Sequence, residues 1–279
     1  MLDALRRHWP EYLIEAGALA LFMISACAFG TLFEYPGSPV RQMLGNPHVR
    51  RVLMGLAMGG TAVGIIYSPW GKQSGAHMNP AVTLAFFRLR KIAGWDAAFY
   101  ILAQFGGGLA GVQLVALVLR RRLADPNVNY VVTMPGPRGV PTAFLAELFI
   151  SFLLMLVVLE VSNRPRINRW TGLFAGSLVA LYVTLEAPIS GMSMNPARTF
   201  GSAYAAGMWD ALWIYFTAPP LGMLLAATLY QWSHGVHAAL CAKLHHENDR
   251  RCIFLCSYTS GTSAVDPNGA ALANEGSLR

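Results

Sequence analysis

The phrases "SGAHMNPAV" at 74–82 and "SGMSMNPAR" at 190–198 decide how this chain is read. They share Ser-Gly at the front and Met-Asn-Pro-Ala near the end, and each half of the 279-residue sequence holds one of them. Asn is among the strongest N-cap residues, because its side-chain oxygen accepts from the free N–H groups of a helix start. Proline suits the first helical position, where no N–H is needed. Asn79-Pro80 therefore predicts a short helix through "AVTLAFF", and Asn195-Pro196 predicts another through "ARTFGSAYAA". Ser and Gly before each Asn break helical regularity. One Asn-Pro pair would be an ordinary cap; the information lies in the duplication, and in the single arginine, Arg198, that follows only the second copy.

Outward from these phrases the chain is apolar. Hydrophobic residues make up 54% and charged residues 13%, where a soluble domain carries roughly 25% charged. Six runs stand out, at 12–33, 51–69, 97–119, 142–161, 170–187 and 211–232, and the third, "AAFYILAQFGGGLAGVQLVALVL", holds no charge. A membrane-crossing helix needs ~20 mainly apolar residues. Six such runs leave too little polar chain to cover them, which argues against buried helices of a soluble enzyme. The expected fold class is an all-α membrane protein with one channel domain at 12–232. A cytoplasmic N-terminus at 1–11 precedes it, and a polar tail at 233–279 follows, its small-residue-rich end expected to be disordered.

The net charge of +7 does not point to nucleic acid. Lys and Arg cluster between the apolar runs, and their bias favours both termini inside, with Arg120–Arg122 as a local exception. Arg6, Arg7 and the "ISAC" ending at Cys27 imitate a lipoprotein signal. Glu15 inside the first run opposes that reading, because a signal core is uncharged. Cys27, Cys241, Cys252 and Cys256 suggest no disulfide framework.

The six runs form two sets of three, about 12–119 and 142–232. Each set opens with a carboxylate in an apolar run, Glu15 or Glu147, and carries its MNPA phrase between its second and third runs. Three is odd, so the second set crosses in the opposite sense, as in inverted-repeat transport proteins. The two short helices then enter from opposite faces and meet at mid-membrane. Irregular backbone at that depth is tolerated where protein buries it or water lines it. Each helix N-terminus carries roughly +0.5 of a charge. The Asn amides add donors, and the segments "GAHM" and "GMSM" add backbone carbonyls. Such a path suits a small neutral molecule and disfavours cations and hydronium. Glycine pairs four residues apart (55/59, 60/64, 107/111, 172/176) predict close helix packing.

On these residues the sequence resembles the aquaporin, or major intrinsic protein, family. Asn79-Pro80-Ala81 and Asn195-Pro196-Ala197 match both family boxes, Arg198 follows the second, and Glu15, Glu147 and Gln104 match its membrane polar residues. The resemblance covers about 12–232. It implies six helices and two half-helices, a homotetramer in a lipid bilayer with one pore per subunit, and Glu15 and Glu147 holding the pore loops in place. It also implies a narrow ring of four residues: Arg198, Val183, Met192 and, from the second run, Met58 or Gly59. Valine stands where the strict water pattern has histidine, which widens the ring toward glycerol, urea or undissociated metalloid acids. Thr199, Ala203 and the pair Tyr215-Phe216 point back to water. The expectation is a passive water channel of relaxed selectivity, with a channel for other small neutral solutes as the alternative.

A coupled secondary transporter is the rival of a different class. It needs a titratable group at the crossing point, where this chain has two asparagines. No nucleophile-base pair or HExxH spacing suggests an enzyme, and His77 reads as a loop histidine bonded to its neighbours or controlling access. In the tail, His245, His246, Cys252 and Cys256 follow an H-H-x5-C-x3-C spacing that is not a standard zinc pattern. No metal is assigned, and a solvated tail is expected.

Overall fold

The structure is a computed structural model, and it describes residues 1–258. The small-residue stretch at 261–279, expected to be disordered, lies outside the described residues. Eight main helices carry the architecture: α1 (Leu2–Glu34), α2 (Pro47–Tyr67), α3 (Pro80–Arg88), α4 (Gly94–Leu119), α5 (Val140–Ser162), α6 (Thr171–Leu185), α7 (Pro196–Ala206) and α8 (Leu212–His234). Five of them, α1, α2, α4, α5 and α8, are long and apolar enough to cross a membrane. The sixth expected span is shorter: α6 has 15 residues, or about 22 Å at 1.5 Å per residue. It ends at Leu185 because Glu186 and the short Ala187–Ser190 turn, with Pro188 in it, redirect the chain. The first helix is longer than expected and starts at Leu2, so much of the predicted N-terminal segment is helical.

Glycines set the packing of the long helices. A Cβ at Gly107 would lie 2.1 Å from the Ala16 carbonyl oxygen, and one at Gly111 2.5 Å from that of Ala20, so α4 lies directly on α1. In the second half, Gly222 brings α8 onto α5, where a Cβ would stand 2.3 Å from the Leu148 oxygen. The two halves join through α2 and α6: Gly59 and Gly176 abut each other's carbonyls, and Gly55 abuts Ala180. Gly60 and Gly64 depart from expectation. Their positions face open space within the chain, because they lie on the outer side of α2.

The half-helices exchange partners. α7, from the second half, packs against α4 of the first, where Gly201 meets the Gly108 backbone. α3, from the first half, packs against α8 of the second. This exchange brings the two caps together at the centre of the bundle.

Beyond α8, residues 235–258 form turns and bends without a helix or strand. The expectation of a solvated tail fails here. Cys241, Ala242, Lys243, Leu244 and Phe254 are buried. Leu240 N–H donates to Asn163 Oδ1 at 2.6 Å, Leu255 N–H to the Lys91 oxygen at 3.0 Å, and Leu244 N–H to the Gly75 oxygen at 3.2 Å. The tail lies as a cap across one end of the bundle.

Candidate functional site: paired caps beside a long cavity

The two MNPA loops are built alike. Glu15 is fully buried; its Oε1 accepts from Ser74 Oγ at 2.8 Å and His77 N–H at 3.0 Å, and its Oε2 from Met78 N–H at 2.7 Å. Glu147 does the same in the other half, accepting from Ser190 Oγ at 2.6 Å and from the N–H groups of Ser193 and Met194 at 2.7 Å each. Gln104 Nε2 adds a bond to Glu15 at 2.9 Å. The carboxylates therefore grip N–H groups, not carbonyls. Because a trans peptide points its N–H and C=O in opposite directions, the carbonyls of Ala76, His77, Met192 and Ser193 are turned away from the glutamates. Residues 76–79 and 191–195 line the cavity described below.

This alternation demands unusual backbone. Ala76, Met78, Met192 and Met194 all have φ between 49° and 56°, a left-handed region that costs a non-glycine residue roughly 1–2 kcal/mol. Bonds to a buried carboxylate offset that cost in both loops. Sequence reasoning missed some of the scaffold. Ser74 and Ser190 were read only as helix breakers, although both stand in the repeated phrase. Tyr100 and Tyr215 were missed as a pair: their hydroxyls donate to the carbonyls of Ser74 at 2.7 Å and Ser190 at 2.5 Å.

The caps behave as predicted, with one addition. Asn79 Oδ1 accepts from Ala81 N–H at 2.8 Å, and Asn195 Oδ1 from the N–H groups of Ala197 at 3.1 Å and Arg198 at 3.2 Å. Pro80 and Pro196 open the helices. The amide nitrogens cross over: Asn79 Nδ2 donates to the Met194 oxygen and Asn195 Nδ2 to the Met78 oxygen, both at 2.7 Å. Each NH2 has two hydrogens, so one locks the opposite loop and the second remains beside the cavity.

That cavity, of about 560 Å³, runs past both caps. At one end it is lined by Glu34, Pro47, Arg51 and Asn127, and at the other by Ile66, His77 and Leu244. Its walls away from the loops are apolar, including Leu154, Met155, Val158 and Val179. Arg198, Val183, Met192 and Met58 all line it, whereas Gly59 is turned into the contact with α6. Of the two second-run residues, Met58 is the one at the cavity wall. Arg198 Nη1 is buried and has no hydrogen-bond partner among the described residues. Thr199 faces away from the lane, bonding Ser193 Oγ at 2.5 Å and Thr133 Oγ1 at 2.8 Å.

His77 is a bonded loop histidine: its Nδ1 pairs with Thr83 Oγ1 at 3.0 Å and its Nε2 with the Ala242 oxygen at 2.8 Å. It also stacks on Phe254, with ring centres 5.4 Å apart. The tail is thus tied to the pore loop itself. In the tail, His245, His246, Cys252 and Cys256, to which the sequence assigns no metal, do not come together as a set. Instead Cys241, His246, Cys252 and Cys256 converge, their ligating atoms all within 4.8 Å of one another. His245 stands edge-on to Tyr67 at the end of α2. Cys241 was not grouped with His246, Cys252 and Cys256 because its contact with Cys252 is made by the fold of the tail and has no familiar ligand spacing. Cys27 is buried in α1.

Comparison with known proteins places this arrangement. Aquaporin NIP6-1 of Arabidopsis thaliana is 38% identical over 175 residues, covering 62% of this chain and 55% of that protein. Aquaporin NIP2-1 of Oryza sativa subsp. japonica is 38% identical over 173 residues, covering 62% and 56%. The matched stretch thus spans little more than half of these relatives. Among solved structures, the aquaglyceroporin from Plasmodium falciparum shares the fold, with a TM-score of 0.65 at 22% identity over 80% of this chain and 95% of that one. The family model for major intrinsic protein matches residues 5–230, from within α1 to the last turns of α8, and so takes in both crossed asparagine caps and both glutamate-held loops. This multi-pass membrane chain belongs to the major intrinsic protein family.

Proposed function

We propose that the protein is a passive transmembrane channel whose first solute is water and whose selectivity is relaxed. One observation carries this reading: two positively polarised helix tips, capped by Asn79 and Asn195, meet beside a single cavity that continues to both ends of the bundle. A lane with one row of carbonyls, two central amide donors and apolar walls suits an uncharged solute that both donates and accepts. The helix dipoles and the unpartnered Arg198 nitrogen oppose cations. Neither asparagine titrates, which speaks against ion-coupled transport. The similarity to named aquaporins and the shared aquaglyceroporin fold support the same class.

A second reading, glycerol or another small neutral solute, is favoured by the ring itself. Val183, Met192 and Met58 present apolar, deformable walls beside Arg198, and methionine adapts its shape readily. Both described ends lie on one face, since Arg251 Nη2 donates to the Arg7 oxygen at 2.7 Å. The Lys and Arg bias supports a cytoplasmic setting for that face. Four such subunits form the working assembly.

Stopped-flow swelling of proteoliposomes under water, glycerol and urea gradients tests the proposal. Water permeability should rise well above that of empty vesicles and ignore a proton gradient. Permeability no greater than empty vesicles would overturn the channel reading, and flux that follows the proton gradient would restore the coupled transporter.

A further inference from the structure

We propose that Cys241, His246, Cys252 and Cys256 bind one zinc ion, and that this ion folds the tail into the cap that sets Leu244 at one mouth of the cavity. The geometry is compatible with a tetrahedral site, since all four ligating atoms lie within 4.8 Å of one another. Cys241 Sγ and Cys252 Sγ are 3.6 Å apart, and Cys256 Sγ is 3.6 Å from His246 Nε2. Zinc–sulfur bonds of about 2.3 Å at tetrahedral angles place two sulfurs roughly 3.8 Å apart, and a shorter zinc–nitrogen bond brings sulfur and nitrogen slightly closer. A disulfide would need the sulfurs at about 2.05 Å, and the four cysteines are free. Three thiolates and one imidazole form one of the recurrent closed sets for structural zinc.

The surroundings fit an ion as well. His246 lies flat on Tyr258, ring centres 4.2 Å apart, and the Tyr258 hydroxyl donates to the Ser162 oxygen at 2.6 Å. This ring is therefore held in orientation, as supporting contacts hold metal-bound histidines. Three thiolates around a divalent ion leave one net negative charge. Lys243, 2% exposed, stands two residues from Cys241 and brings a cationic side chain to this part of the tail. Its Nζ also donates to the Arg250 oxygen at 2.9 Å, closing the loop that carries His246 between Cys241 and Cys252. Among the four ligands only Cys241 is buried, so an ion can enter from the solvent side.

The fold of the tail needs such a clasp. Residues 235–258 lack regular secondary structure and bury few apolar side chains, too few to offset the entropy of ordering an irregular segment. Metal binding supplies folding free energy in small irregular elements of this kind. The clasped segment holds the His77 ring through Ala242 and Phe254, and places Leu244 in the cavity wall.

Elemental analysis of the full chain, purified without metal-affinity resin, tests this without any flux measurement. About one zinc per chain is expected, lost in Cys241→Ser and Cys252→Ser and kept in Cys27→Ser. Cobalt added to the chelated wild type should give the intense visible bands of tetrahedral thiolate ligation. Trypsin should cut after the buried Lys243 only once chelator has opened the tail, a readout that needs no variant to fold. Wild-type protein without bound metal after zinc addition, unchanged zinc in Cys241→Ser, or a mass loss of two hydrogens marking a Cys241–Cys252 disulfide would each overturn the assignment.

Discussion

Replacing Glu147 by leucine separates a scaffold role from a bystander role. The carboxylate accepts from Ser193 N–H, Met194 N–H and Ser190 Oγ. The serine hydroxyl can rotate to a new acceptor, but the two N–H groups are on a backbone that cannot turn without dismantling the loop. Leaving a buried donor unsatisfied costs about 1–3 kcal/mol, so Glu147→Leu should cost about 2–6 kcal/mol. At about 2–4 °C per kcal/mol for a chain of this size, the melting temperature should fall by at least about 4 °C in calorimetry of the detergent-solubilised protein. The left-handed residues Met192 and Met194 lose the bonds that offset their strain, so the carbonyl row should lose its aim and water flux should fall with stability. Glu15→Leu should behave alike, because its two N–H bonds are of the same kind. Glu160→Gln, at an ion pair near the end of α5, should change the melting temperature little. A Glu147→Leu protein with wild-type melting and wild-type flux would refute the derivation.

Asn195→Asp keeps the cap oxygen but replaces the Nδ2 donor to the Met78 oxygen by a repelling oxygen, so single-channel or vesicle assays should show lower water flux or entry of ions; neither change would exclude the donor role. Val183→His adds bulk and polarity at the cavity wall and should lower glycerol permeability more than water permeability; equal effects would exclude Val183 from the ring. Gly59→Ala forces a Cβ to 2.4 Å from the Gly176 oxygen and should destabilise by about 1–3 kcal/mol, whereas Gly60→Ala, facing open space in the chain, should stabilise by up to about 1 kcal/mol through helix propensity. Matching melting shifts for the two variants would refute the packing assignment of α2.

Much of this protein was legible in the residues because the signals are local. Apolar length, Asn-Pro caps and the spacing of the two phrases depend on one helix turn or one span at a time, and their repetition carried the symmetry. The span at 170–187 was placed correctly but read too long, since a Glu-Ala-Pro turn inside an apolar run weighs little in composition. What sequence left open needed neighbours distant in the chain. Whether Met58 or Gly59 faces the lane depends on the rotation of α2, which the Gly59–Gly176 contact decides. Gly60 and Gly64 have the spacing of a packing pair, yet no described residue lies within 4 Å of a Cβ at either position.

The sequence by itself determined a membrane-spanning inverted repeat with two capped half-helices, because hydrophobic length and capping are properties of contiguous residues. Only the tertiary structure decided how the glutamates aim the carbonyls, that each asparagine binds the opposite loop, and that Cys241 joins His246, Cys252 and Cys256 beneath the pore loop. Those contacts join residues far apart in the chain, and directional hydrogen bonds and ligand geometry exist only once the helices have packed.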